Sequence, residues 1–112
     1  MPSASDDFAD FIVDQLVSIR GVARGRFFGG IGLSASGVQF AMVMSGTLYF
    51  VVDSTTRQKY EKMGGKNFSY STKKKTVAVK KYFSVPADVI EDQDQLIALA
   101  KESIRVANSA KR

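Results

Sequence analysis

Residues 23–52 read ARGRFFGGIGLSASGVQFAMVMSGTLYFVV, and the fold class turns on this stretch. Its apolar residues recur at every second position, the period of a strand and not of a helix. Val38, Phe40, Met42 and Met44 alternate onto one face, and Leu48, Phe50 and Val52 continue the alternation. Ser36-Gly37 and Ser45-Gly46 punctuate the pattern as two-residue turns, the connection that closes tight hairpins. Phe28-Gly29-Gly30-Ile31-Gly32 interrupts the first part. The stretch predicts an antiparallel meander of three strands.

On either side of it the period changes. Upstream, Phe8, Phe11, Ile12, Leu16 and Ile19 fall at helical spacing behind Ser5, a candidate cap, and Gly21 ends the run. The outer face of that helix is acidic. Downstream, Asp53 or Ser54 caps a short helix through Met63, closed by Gly64-Gly65. Phe68 and Tyr70 form a strand, residues 71–75 a polar hairpin loop, and Val77, Val79 and Phe83 the returning strand, which Pro86 stops. Asp92 with Gln95 resembles a capping box. It opens a last helix whose buried stripe is Leu96, Leu99, Ala100, Ser103, Ile104 and Ala107, with fraying expected over 108–112. The order α-β-β-β-α-β-β-α describes an α+β domain with its helices on one face of an antiparallel sheet of about five strands. Phe8, Phe11, Phe40 and Phe50 are assigned to the core.

The 112 residues contain no histidine, cysteine or tryptophan. That excludes a disulfide framework, a Cys or His zinc site, a Cys-His or Ser-His nucleophile pair and an imidazole switch. No linker, repeat or low-complexity tract divides the chain, so one domain is expected, with its core over about residues 6–107. No apolar run approaches the ~20 residues of a membrane span, and the acidic N-terminus has no signal-peptide pattern, so a cytoplasmic protein is expected.

The net charge of +5 is unevenly spread. Residues 1–19 hold four aspartates and no base. Residues 57–81 hold Arg57, Lys59, Lys62, Lys66, Lys73, Lys74, Lys75, Lys80 and Lys81 against the single acid Glu61, a net +8. Two readings of this segment stand side by side. One is a solvated surface whose lysines protect a sheet edge from aggregation. The other is an electropositive face for nucleic acid or an acidic partner, with Tyr70 and Tyr82 near the hairpin lysines.

The remaining motifs point away from catalysis. Gly25, Gly29, Gly30 and Gly32 do not open a helix, so neither the dinucleotide fingerprint nor a phosphate loop applies. Glycines within a strand pattern mark bends or close backbone approaches. Asp53, Glu91 and Asp92 stand at helix starts, where capping explains them. Asp7, Asp10 and Asp14 share a helix face but lack the glycine turn and bidentate glutamate of a calcium loop. No catalytic, metal or cofactor-binding residue is assigned.

One resemblance covers residues 8–107. Phe28-Gly29-Gly30-Ile31-Gly32, Gly37, Phe40-Ala41 and Leu48-Tyr49-Phe50 with Asp53 resemble the N-terminal domain of the TfoX (Sxy) competence regulators. The similarity continues through Thr56-Arg57, Tyr60, Gly64, Phe68, Tyr70, Tyr82, Pro86, Glu91-Asp92, Leu96 and Ala100. It departs at Phe27, where the family often has Met, and at Leu99, where a Trp is common. The resemblance implies a bent antiparallel sheet, no enzyme activity and no cofactor. It further implies a bacterial regulator of DNA-uptake genes whose protein partner is a transcription factor such as the cyclic-AMP receptor protein. Full-length regulators carry a second, C-terminal domain not found in this sequence, so a stand-alone N-terminal-like domain is expected. Oligomeric state is not readable, although lysines on the late hairpin argue against pairing through that edge.

Overall fold

The computed structural model describes residues 4–27 and 29–110, the side chains of residues 4 and 5 excepted. The elements run α1 (Ala4–Gln15), β1 (Val22–Phe27), β2 (Gly30–Ala35), β3 (Val38–Met44), β4 (Thr47–Val51), α2 (Thr56–Lys62), β5 (Asn67–Ser71), β6 (Thr76–Ser84), α3 (Ala87–Ile90) and α4 (Gln93–Ala110). All strand pairs are antiparallel in one open sheet of order β1-β2-β3-β4-β6-β5. The α+β class and the bent sheet are as expected, but the described residues form six strands and four helices.

The extra strand comes from the glycine run. Phe27 pairs with Gly30, so the apparent interruption falls within a β1–β2 hairpin. Phe28 lies outside the described residues. The two Ser-Gly turns fall where the sequence puts them. Ser36 and Gly37 (φ 52° and 84°) and Ser45 and Gly46 (51° and 78°) are both left-handed, the type I′ geometry that matches strand twist. The extra helix, α3, is a single turn started by Pro86, too short to show a period.

The alternation predicted for β3 is broken at one point. The β2–β3 register slips between Leu33, opposite Ala41, and Ser34, opposite Gln39, which leaves Phe40 as a bulge residue. Phe40 therefore packs on Phe50, ring centroids 6.1 Å apart, while Met42 and Met44 belong to the opposite face. Cross-strand partners share a face, so Ile31, Val43 and Leu48 go together, as do Leu33, Ala41, Phe50 and Phe83. These residues meet α1 and α4 in the core with Ile12, Leu16, Leu96 and Ala100. Ser103 on α4 reaches into this layer and donates to the carbonyls of Phe40 (2.7 Å) and Val51 (3.0 Å).

α1 starts at Ala4, so Ser5 lies inside the helix and not at its cap. Its buried stripe is Ala9 and Ile12, continued by Leu16 in the turn that follows; Phe8 is half-buried, and Phe11, assigned to the core, is 46% exposed at the stripe's edge. Arg24 of β1 ties the helix down through Asp6 and Asp10, at 3.3 and 3.0 Å. α4 continues through Ala110, past the point where fraying was expected; residues 111 and 112 lie outside the described residues. Tyr60 of α2 is buried against Phe83, and its hydroxyl has no hydrogen-bond partner among the described residues. Burial, and then the Glu102 carboxylate, pushes that phenol well above its ordinary range. Among the described residues no helix is long and apolar enough to cross a membrane.

Candidate interaction groove on the helix-free face of the sheet

The helices cover one face of the sheet, and the other carries an open apolar groove of about 530 Å³. Its lining is Phe27 from β1, Met42 and Met44 from β3, Phe68 and Tyr70 from β5, and Val79, Lys81 and Tyr82 from β6. The bend of the sheet makes it. Tyr82–Ser84 of β6 pair with β4, whereas Thr76–Val79 pair with β5. The β5 register jumps from Asn67 opposite Phe83 to Phe68 opposite Val79. The unmatched residues bend the hairpin, and Phe68 packs edge-on to Tyr49 at 5.2 Å.

The glycines of the Phe-Gly-Gly-Ile-Gly run have a direct use here. A Cβ on Gly30 would overlap the Met44 sulfur and the Val43 carbonyl. One on Gly32 would come within 3.3 Å of the Phe27 Cβ and within 2.5 Å of the Gln39 side-chain oxygen. The bare backbone lets Met44, Phe27 and Gln39 lie flat across β2, which shapes one wall. On the opposite wall Tyr82 is buried at 6.5 Å from Phe27, and its hydroxyl accepts from Gln39 Nε2 at 2.9 Å. Burial raises the Tyr82 phenol above its ordinary value, and the Gln39 hydrogen bond partly offsets this. Lys81 lies over the Tyr82 ring, Nζ 5.4 Å from its centroid, with the charge at the rim.

The basic segment does not form one surface. Arg57, Lys59 and Lys62 ride on α2 in the helix layer, where Lys59 pairs with Glu102 at 2.7 Å. Lys66 precedes β5, Lys73, Lys74 and Lys75 form the hairpin turn, and Lys80 and Lys81 lie on β6 where the hairpin bends. Tyr70 and Tyr82 do line one groove, but only Tyr70 is exposed, at 47%. The edge strand β5 carries no charge, since β6 lies inside it against β4.

The carboxylates cap helices. Asp53 Oδ1 accepts from the backbone N–H groups of Thr55 (3.0 Å) and Thr56 (2.8 Å), and Thr56 Oγ1 accepts from the Asp53 N–H at 3.0 Å. The Thr56 N–H is the main reason that carboxyl sits below its ordinary value. Asp92 accepts from the Gln95 N–H at 3.2 Å. No cluster that could hold a metal ion occurs among the described residues. Of the quoted motif residues, Leu48 and Phe50 are core, Tyr49 packs beneath Phe68, and Gly29 completes the first hairpin turn.

Sequence reasoning placed Phe68, Tyr70 and Val79 in strands and Met42 and Met44 on one face, without seeing a groove. The available signal was Phe40-Ala41-Met42-Val43-Met44, apolar on both parities in an antiparallel strand. Such a strand is not solvated on its second face as a one-sided sheet would be. Compared with known families, residues 14–107 match the family model of the TfoX N-terminal domain. No curated protein matches the chain.

Proposed function

The chain belongs to the TfoX N-terminal domain family, and from that premise we propose that it is a non-enzymatic regulatory domain acting through protein contacts. In this reading it is a cytoplasmic bacterial transcription co-regulator of competence and DNA-uptake genes. Its partner is a transcription factor such as the cyclic-AMP receptor protein. The observation that carries the reading is the groove. Half-buried Phe27, Met44, Phe68 and Val79 form an open apolar surface, together with exposed Tyr70, on a face that no helix covers. Exposed contiguous apolar surface of this kind supports a contact site for another molecule.

The test is capture of partners from native bacterial lysate by the immobilised chain, with the receptor followed by immunoblot. A defined partner retained at physiological salt is the expected result. Recovery of nothing above background across several salt concentrations overturns the proposal. A second reading, direct nucleic-acid binding, draws on the exposed Tyr70 beside the Lys73–Lys75 turn.

A further inference from the structure

The groove's surroundings carry one sign of charge. None of the six strands contains an acidic residue; all eleven acids of the chain lie in helices or in the turns leading into them. Of the bases on the strands, Lys81 of β6 lines the groove, whereas Arg24 of β1 is paired with Asp6 and Asp10 of α1 on the helix side. The hairpin turn adds Lys73, Lys74 and Lys75. The groove side of the sheet thus carries lysines and no strand carboxylate around an apolar trough.

We propose that the groove binds an acidic amphipathic peptide segment, seating its bulky apolar side chains between Met44, Phe27, Phe68 and Val79 and its carboxylates against Lys81 and the hairpin lysines. This deepens the interaction-domain reading and rests on it. Two features select a peptide over a nucleic acid. Three of the eight lining residues, Met42, Met44 and Val79, are aliphatic or thioether, and methionines adapt to side chains of varied shape. Tyr82 is buried with its hydroxyl engaged by Gln39, which leaves Tyr70 as the one well-exposed ring in the lining. A stacked strand needs successive rings. Charge complementarity then sets the sign of the peptide, because an acidic segment meets bases around the trough and no carboxylate on the strands.

The experiment uses the full chain with its methionine methyl groups labelled for NMR. Met42 and Met44 line the groove, whereas Met63, at the end of α2, is an internal control. The probe is a synthetic peptide of glutamates with leucine and phenylalanine at helical spacing. The controls are the same peptide with lysine for glutamate, one with serine for the apolar residues, and single-stranded oligothymidylate. The acidic apolar peptide alone is expected to shift Met42 and Met44 saturably and leave Met63 in place. Lys81→Glu and Tyr70→Asp, both at exposed positions, are expected to weaken it about tenfold each with the Met63 signal intact. Unmoved groove methyls, equal binding of the lysine peptide, or tighter binding of the oligothymidylate overturns the proposal. So does self-association of the free chain that already occupies Met42 and Met44. If lysate capture returns a partner indifferent to Lys81→Glu and Tyr70→Asp, the groove is wrong and the interaction domain stands. If the peptide binds as expected and lysate yields nothing, the regulatory reading fails instead.

Discussion

Ser103 occupies a position on α4 whose neighbours one turn away, Leu99, Ala100, Val106 and Ala107, are all buried. At 1% exposure its hydroxyl has no water to bond, and its single proton serves two carbonyls, those of Phe40 and Val51. The Phe40 carbonyl belongs to the bulge in β3, where the ladder with β2 is disrupted. The serine thus brings a donor to that carbonyl from outside the sheet, and it pins α4 to β3 and β4 together. Ser103→Ala is expected to cost about 1–3 kcal/mol, the range for a buried acceptor left unpaired, with the urea m-value unchanged. A loss under about 0.5 kcal/mol, within the ordinary range of a surface change, would remove this role. The helical period identified Ser103 as a stripe member but gave it no acceptor. A bulge is a property of two strands in register, and β3 alone does not display it.

α2 has seven residues, well short of the length at which an isolated helix holds in water, so its ends and its packing decide whether it forms. Both ends were legible. Asp53 closes a reciprocal pair of hydrogen bonds with Thr56, and Gly64 and Gly65 return their N–H groups to the carbonyls of Glu61 (3.1 Å) and Tyr60 (2.8 Å), a Schellman closure. Asp53→Ala is expected to lower stability by about 0.5–2 kcal/mol. Its pH dependence has a definite sign. The folded carboxyl titrates below its ordinary 3.8, so the unfolded chain takes up the proton first as pH falls. The stabilisation is therefore present above pH 3.8 and is lost as pH drops through the lowered folded value. Urea unfolding of the chain and of Asp53→Ala should show midpoints that differ at neutral pH and draw together progressively as pH falls below 3.8. A difference that does not shrink as pH falls below 3.8 would show that the capping charge is not its source. The β5–β6 hairpin was legible as two strands and a turn, but its bend was not. That bend follows from β6 serving two partners, β4 and β5, which no single strand's pattern records.

At the scale of the molecule, the sequence showed that charge is polarised but drew the boundary in the wrong place. A window of residues 57–81 joins bases that the fold separates, because α2 lies in the helix layer while β6 and the hairpin turn belong to the sheet. The positive layer relevant to a ligand is smaller: Lys81 lines the groove, and Lys73, Lys74 and Lys75 form the turn of the hairpin whose Tyr70 lines it. Salt then separates the two ligand classes. A DNA duplex held by about four phosphate contacts loses affinity with a slope near −3.6 in log salt, about 150-fold for a fourfold rise in salt. A peptide held mainly by apolar burial, with Lys81 and the hairpin lysines at its carboxylates, loses less over the same interval, since burial of apolar surface is not screened. Fluorescence anisotropy against potassium chloride is therefore expected to give a shallow line for the acidic apolar peptide. Any duplex binding should give a steep line and vanish in the double variant Lys73→Glu, Lys75→Glu. A peptide line as steep as the duplex line would mean that charge holds both and the trough holds neither. A duplex titration that is flat, or unmoved by the double variant, removes nucleic acid from the basic hairpin altogether.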